Sequence, residues 1–147
     1  MKRLMRTDGG AAGLILRLTL AIVIFPHGAQ KALGWFGGGG FSGTVDFFSS
    51  QLGIPAAIAV LVIAAEFLGS LGLLFGFLTR ICALGIGAVM LGAIFMVHLP
   101  NGFFMNWYGQ EGVGQGYEFH LLAIGIALAL LVTGGGAASV DKAMASR

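Results

Sequence analysis

Four long apolar stretches dominate the pattern of hydrophobic and polar positions along the chain. They run from Ala11 to Leu33, from Pro55 to Phe77, from Ile81 to Leu99 and from Tyr117 to Val132. A helix needs about 20 predominantly apolar residues to cross the hydrocarbon core of a bilayer. The stretches are continuously apolar, whereas the strands of an outer-membrane barrel alternate apolar and polar positions. The pattern therefore predicts an all-α protein, a four-helix transmembrane bundle formed by a single domain over residues 1–147.

The two longer connections between these stretches have patterns of their own. In the first, Phe41, Val45, Phe48 and Leu52 are spaced by four, three and four residues, which places them on one helical face. This spacing predicts a short amphipathic helix in the membrane interface, lying over the end of the bundle. The second connection, residues 100–116, is rich in aromatic and amide side chains, as is typical of the interface between membrane and water.

Composition supports a membrane protein and excludes several other classes. Of the 147 residues, 57% are hydrophobic and only 10% are charged, whereas a soluble domain carries about 25% charged residues. The mean hydropathy of +0.93 excludes a disordered segment. The net charge is only +2 and the basic residues are scattered, so no basic face is available for nucleic acid. With a single cysteine, Cys82, the chain cannot form an internal disulfide.

The basic residues between and beyond the spans predict the orientation in the membrane. Both longer connections lack lysine and arginine altogether, and positively charged residues favour the cytoplasmic side. We therefore expect an inner membrane protein of a bacterial-type cell, with both termini cytoplasmic and both longer connections outside. The flanking basic residues are Lys2, Arg3, Arg6, Arg80, Lys142 and Arg147.

Polar side chains inside the spans are few, and such residues usually face the interior of a bundle. On the predicted topology six of them fall in the outer third of the membrane, where they predict an outward-opening ligand pocket with the short amphipathic helix as its lid. Arg17 and Glu66 lie deeper, at neighbouring levels, and are expected to form a buried ion pair. The sequence assigns no metal ligand and no catalytic residue. The six predicted pocket residues are His27, Gln30, Lys31, His98, Glu118 and His120.

Several short motifs, in order along the chain, resemble the DoxX family of small membrane proteins. The resemblance covers residues 14–141 and implies a four-helix bundle with its polar residues pointing inward. It also implies a redox setting, since relatives are associated with a thiosulfate:quinone oxidoreductase, and others with catechol, quinone or oxidative-stress handling. The motifs are Leu16-Arg17-Leu18, Pro26-His27-Gly28-Ala29-Gln30-Lys31, Glu66-Phe67-Leu68-Gly69, Gly76-Phe77-Leu78-Thr79-Arg80, His98-Leu99-Pro100-Asn101-Gly102-Phe103-Phe104 and Tyr117-Glu118.

The pocket and the resemblance together favour a redox-associated membrane protein that binds a quinone-like ring. His27, Lys31, Glu118 and His120 offer hydrogen bonds and protons to the oxygens of such a ring. The sequence lacks a dinucleotide-binding fingerprint, so electrons are expected from a separate oxidoreductase partner. Alternative functions are a small-solute transporter, a non-catalytic scaffold, and a protein that holds non-covalent haem or a metal ion on its histidines. A homo-oligomer is left open.

Overall fold

The computed structural model describes Met5 and residues 7–146, and all regular structure in this part of the chain is helical. The predicted helical bundle is confirmed, while the flanking charges Lys2, Arg3, Arg6 and Arg147 lie outside the described residues. The α-helices are α1 (Ala11–Leu33), α2 (Gly40–Gln51), α3 (Ala56–Phe75), α4 (Thr79–Ala93), α5 (Glu118–Thr133) and α6 (Val140–Ala145).

Three helical segments of the described chain are long and apolar enough to cross a membrane. They are Ala11–Leu33, Ala56–Phe75 and Thr79–Asn101, the last being α4 with its extension. The fourth predicted span corresponds to α5, which is apolar but has only 16 residues. At 1.5 Å per residue, α5 is about 24 Å long, shorter than the hydrocarbon thickness of about 30 Å. The end of α5 therefore has to lie within the membrane interface if the helix crosses.

The end of α4 changes its winding before the chain leaves the bundle. Residues Ile94–His98 form a π-helical turn, and Leu99–Asn101 follow as a 3₁₀ turn that contains Pro100. A π-helical turn changes the direction in which the following side chains point, and such turns are frequent at functional sites. In this chain the turn ends on His98.

Packing of the bundle is arranged around small residues and a thin apolar core. Helix α1 packs along α3, and α4 packs against both α3 and α5. At Gly28 the backbones of α1 and α3 approach so closely that a Cβ atom would lie 2.6 Å from the backbone nitrogen of Phe67. Leu20, Ile24 and Ile86 are fully buried in the core between the helices. The opposite helix faces expose large apolar side chains, as expected where lipid replaces water.

The predicted amphipathic helix is confirmed as α2. It packs against α1 and α3, and the buried Thr44 hydroxyl donates a hydrogen bond of 3.3 Å to the carbonyl of Lys31 near the end of α1. Gly34, with a φ of 75°, ends α1 in the left-handed conformation and lets the chain turn towards α2. As a result, α2 covers the seam between α1 and α3.

Candidate functional site

The bundle has two polar ends, which differ in the side chains they contain. The histidine end comprises the last turns of α1, the extension of α4 and the first turn of α5, and it contains His27, His98 and His120. The arginine end comprises the start of α1, the end of α3 and the loop of residues 134–139, and it contains Arg17. The predicted ligand residues all belong to the histidine end.

Lys31 and Glu66 form an ion pair between α1 and α3. The Nζ–Oε2 distance is 2.6 Å, and the side chains of Lys31 and Glu66 are 24% and 4% exposed. A helical side chain leans towards the N-terminus of its own helix. Because α1 and α3 are antiparallel, Lys31 tilts from the end of α1 towards the arginine end, and Glu66 tilts from the middle of α3 towards the histidine end. The same tilt that brings these two charges together also determines where Arg17 points.

Arg17 does not meet Glu66, which corrects the expectation from the sequence. Its guanidinium is buried at the arginine end and donates to five backbone carbonyls at 2.6–3.2 Å. Arg17 leans towards the N-terminus of α1, whereas Glu66 leans the opposite way, so the two side chains diverge. The acceptor residues are Leu73 and Leu74 at the end of α3 and Gly135, Ala137 and Ala138 in the loop between α5 and α6.

Asp141 completes this end of the bundle with the opposite charge. Its carboxylate accepts hydrogen bonds of 2.8 and 2.9 Å from the backbone nitrogens of Leu78 and Thr79, where α4 begins. A carboxylate at a helix N-terminus and a guanidinium at a helix C-terminus both complement the helix dipole. The arginine end is thus a polar network that ties α1, α3, α4 and the C-terminal segment together.

His98 and His120 are in direct ring contact at the histidine end. Their ring centroids are 4.1 Å apart with an angle of 41° between the planes. Nδ1 of His98 lies 2.8 Å from the carbonyl oxygen of Gln115. A carbonyl only accepts, so Nδ1 of His98 carries a proton and donates to Gln115. This contact depends on the π-helical turn, which brings the end of α4 onto α5.

His120 is the side chain of this cluster whose polar atoms are least satisfied. The residue is only 6% exposed, and its Nδ1 has no hydrogen-bond partner within the described chain. Buried polar atoms in folded proteins are nearly always hydrogen-bonded, because leaving one unpaired costs about 1–3 kcal/mol. An imidazole nitrogen in this state is available to a ligand that offers a donor or an acceptor.

His27 extends the cluster to α1. Its ring centroid is 6.2 Å from that of Phe119, which in turn lies 5.4 Å from His120. His27 is also within electrostatic range of Lys31 and Glu66. The three histidines and the ion pair therefore lie in one row from α3 through α1 to α5 and the end of α4, in which Phe119 separates His27 from the His98–His120 pair.

The two other predicted pocket residues are used by the loops at this end. Gln30 donates to the carbonyl of Phe36 at 3.2 Å, which holds the turn after α1. Glu118 accepts from the backbone nitrogen of Met105 at 2.8 Å and from Nε1 of Trp107 at 2.5 Å. The structure thus brings the histidines together, pairs Lys31 with Glu66, and engages Gln30 and Glu118 in supporting the connections.

Backbone hydrogen bonds close the second connection over the histidine end. Gly116 N donates to Phe104 O, Tyr117 N donates to Gly102 O, and Glu118 N donates to Phe103 O, at 2.9–3.2 Å. Together with the Glu118 contacts, these bonds tie the two ends of the connection to each other beside the His98–His120 pair.

The histidine geometry can be tested against the ligand classes left open by the sequence. Two imidazoles that ligate one haem iron have the porphyrin between them, whereas the rings of His98 and His120 touch. Across residues 7–146 no group of three or more His, Cys, Asp or Glu side chains is placed to hold one metal ion. A ring oxygen needs only one hydrogen-bonding nitrogen, and the unpartnered Nδ1 of His120 fits that requirement.

An apolar groove of about 590 Å³ lies away from the histidines, between α3 and α4. It is lined by Leu61, Leu68, Phe75 and Cys82 among others. The sulfur of Cys82 lies 3.5 Å from the carbonyl oxygen of Phe77, so the cysteine is held within the helix packing. None of the six predicted pocket residues lines this groove.

Comparison with known proteins identifies the family. The family model described as DoxX matches residues 12–99. The chain belongs to the DoxX family. "Inner membrane protein YqjF" of Escherichia coli (strain K12) is 37% identical over 130 residues, which cover 88% of each chain. "Putative oxidoreductase CatD" of Bacillus subtilis (strain 168) is 32% identical over 117 residues, which cover 80% of this chain and 76% of that protein. No solved structure matches.

Membership in the DoxX family and the apolar helices together make the chain a membrane protein. The region that matches the DoxX model includes α1, α3 and α4, and hence the Lys31–Glu66 pair and His98. Helix α5, with the unpartnered His120, lies beyond that region. No sequence signal marked His120 as the unsatisfied member of the cluster, because its state depends on what α4 and α1 place beside it.

Proposed function

We propose that this DoxX-family protein binds a quinone-type ring at the histidine end and acts with a separate oxidoreductase that supplies the electrons. The observation that carries the proposal is the buried Nδ1 of His120, which lacks a hydrogen-bond partner in the described chain. An imidazole nitrogen can donate to or accept from a ring oxygen. The name of the CatD relative describes that protein as an oxidoreductase, which supports a redox role here.

The surrounding residues have complementary tasks in this proposal. A quinone ring takes up electrons and protons together, so its site needs a proton source and a positive charge. His98 is half-buried and contacts both His120 and the second connection, which suits it to pass protons to His120. Lys31, held by Glu66, supplies positive charge that stabilises negative charge as it develops on a ring oxygen. We place the protein in the inner membrane with the histidine end outward.

A binding titration tests the proposal. The purified protein in lipid nanodiscs is titrated with a benzoquinone that carries a ten-carbon tail, using quenching of tryptophan fluorescence. We expect His120→Ala to weaken binding by about tenfold, the equivalent of one hydrogen bond. His27→Ala and Lys31→Ala are expected to weaken it less. Cys82→Ser, in the groove between α3 and α4, is the control and should bind like the wild type.

Folding has to be checked alongside binding, since His120 is buried. His120→Gln retains a hydrogen-bonding side chain and should bind more tightly than His120→Ala at a similar melting temperature. If wild type and all variants bind the quinone equally, or none binds it, the proposed site is incorrect.

The second candidate is a non-catalytic scaffold, and the exposed aromatic residues of the second connection favour it. Phe104, Trp107 and Tyr108 are 73%, 74% and 90% exposed. Large exposed apolar side chains at one end of a membrane protein serve either the lipid interface or a partner protein. The titration separates the two functions, because a scaffold retains its partner contacts without binding a quinone.

A further inference from the structure

His27 has an unusual position for a polar residue in a membrane helix. It lies six residues before the end of α1, which corresponds to about 9 Å along the helix axis, yet its side chain is exposed on the flank of the bundle. No hydrogen bond to its imidazole is present among the described residues. A polar side chain that faces hydrocarbon is costly and usually meets a partner or a water-filled cavity. Lys31 and Glu66 lie within electrostatic range of His27, and its imidazole can still accept or donate a hydrogen bond to a partner from outside the chain.

From His27 a row of rings leads inward across the seam between α1 and α5. Phe119 follows at 6.2 Å from His27, and His120 at 5.4 Å from Phe119. The row ends at the buried Nδ1 of His120, which has no partner in the described chain. Two imidazoles, the exposed one of His27 and the buried one of His120, are thus joined by an aromatic side chain on which a planar ring can stack.

The second connection occupies the aqueous side of the same site. Its two ends are joined by hydrogen bonds from the backbone nitrogens of Gly116, Tyr117 and Glu118 to carbonyls near its start. Nδ1 of His98 is bonded to the carbonyl of Gln115, so the His98–His120 pair is fastened to this connection. A ligand that came from water would meet this hydrogen-bonded connection, whereas one that came from the lipid would meet His27 first.

We infer that the seam between α1 and α5, bordered by His27 and Phe119, is a side entrance from the lipid to His120. The inference rests on the proposed function and narrows its substrate class to lipid-soluble quinones whose tail stays in the bilayer. His27 offers the first hydrogen bond to a ring oxygen, Phe119 supports the ring face, and His120 takes over the hydrogen bond inside. Small water-soluble quinones lack the tail that concentrates the ring at this flank.

An entrance governs the rates of binding and release and leaves the equilibrium unchanged. A residue that narrows the seam without touching the bound ring should slow association and dissociation by the same factor. Val23 is suited to this purpose, because it lies one helical turn from His27 on the same face of α1 and is 39% exposed. Ile22, 64% exposed, points about 100° away and provides the matched control.

Stopped-flow quenching of tryptophan fluorescence in proteoliposomes measures these rates for the benzoquinone with a ten-carbon tail. We expect Val23→Phe to reduce both rate constants by about tenfold, within the range that single substitutions change association rates. The dissociation constant should stay at the wild-type value, and Ile22→Phe should match the wild type throughout. Phenylalanine is chosen for both variants so that no new tryptophan disturbs the signal.

Diluting the proteoliposomes with empty vesicles at constant total quinone gives an independent test. If the ring enters from the lipid, the association rate falls in proportion to the quinone content per lipid. A rate that follows the aqueous quinone concentration, or wild-type rates in Val23→Phe, would overturn the side entrance while quinone binding itself persists. Absence of quinone binding in the wild type would overturn the proposed function and this inference together.

Discussion

Replacing Lys31 with methionine removes the positive charge beside Glu66 and leaves a side chain of similar length. Glu66 is 4% exposed, so its carboxylate would remain in a medium of low dielectric constant without its partner. Removing one member of a buried ion pair costs about 3–5 kcal/mol for this reason. We therefore expect Lys31→Met to be strongly destabilising.

Changing the other member of the pair, in Glu66→Gln, is expected to cost less stability. The difference in stability between the two single variants is the more specific prediction. In Glu66→Gln the amide oxygen still accepts a hydrogen bond from Nζ of Lys31. Lys31 is 24% exposed and can extend its ammonium towards the surface. We expect a cost of about 1–2 kcal/mol, the size of a weakened hydrogen bond to a charged group.

Thermal unfolding in a single detergent measures these differences. The double variant Lys31→Met/Glu66→Gln leaves no charge unpaired and should unfold at a higher temperature than Lys31→Met alone, which a double-mutant cycle quantifies. Glu118→Gln is the control, since its carboxylate serves the second connection. Equal melting temperatures for the two single variants, or strictly additive effects in the double variant, would refute a buried pair.

Three further predictions follow from the geometry. Arg17→Lys should lower the melting temperature by the equivalent of at least about 2 kcal/mol, since an ammonium has three donors and leaves at least two of the five carbonyls unpaired, at about 1 kcal/mol or more each; a melting temperature near that of the wild type would contradict it. Gly28→Ala should destabilise by about 1–3 kcal/mol through overpacking, because its Cβ would lie 2.6 Å from Phe67 N, and unchanged unfolding would show that α1 and α3 separate freely. In intact cells that express a variant without the native cysteine, Val113→Cys should react with an impermeant thiol reagent and Met144→Cys should not; the reverse labelling would turn the histidine end inward.

The helices were predictable because their signals are local. Long apolar runs defined α1 and α3, and the spacing of Phe41, Val45 and Phe48 defined α2 to within a residue at each end. The conformation at the end of α4 was harder to predict, because a π-helical turn has no sequence pattern that distinguishes it from an ordinary α-helix. The contact between His98 and His120, which is made at the end of this turn, was therefore not predictable from the sequence.

The partners of Arg17 and Glu66 were not predictable from the depth of these residues in the membrane. Depth alone brought them to neighbouring levels, but the lean of side chains in antiparallel helices turns them apart and selects Lys31 for Glu66. The acceptors of Arg17 are backbone carbonyls, which every residue carries, so their identity leaves no mark in composition or spacing. The run Gly134-Gly135-Gly136 was the one hint, because glycines let a loop wrap closely around a large side chain.

The hydrogen bonds of Arg17 also constrain the order in which this end of the bundle forms during synthesis. Three of its five acceptors, in Gly135, Ala137 and Ala138, are synthesised 118–121 residues after the arginine itself. At about 5–20 residues per second, that interval is roughly 6–24 s. During this time α1 is already synthesised, and its cation has at most the carbonyls of Leu73 and Leu74 as partners. Helix α1 therefore carries an incompletely satisfied guanidinium until residues 135–138 emerge and complete this end of the bundle.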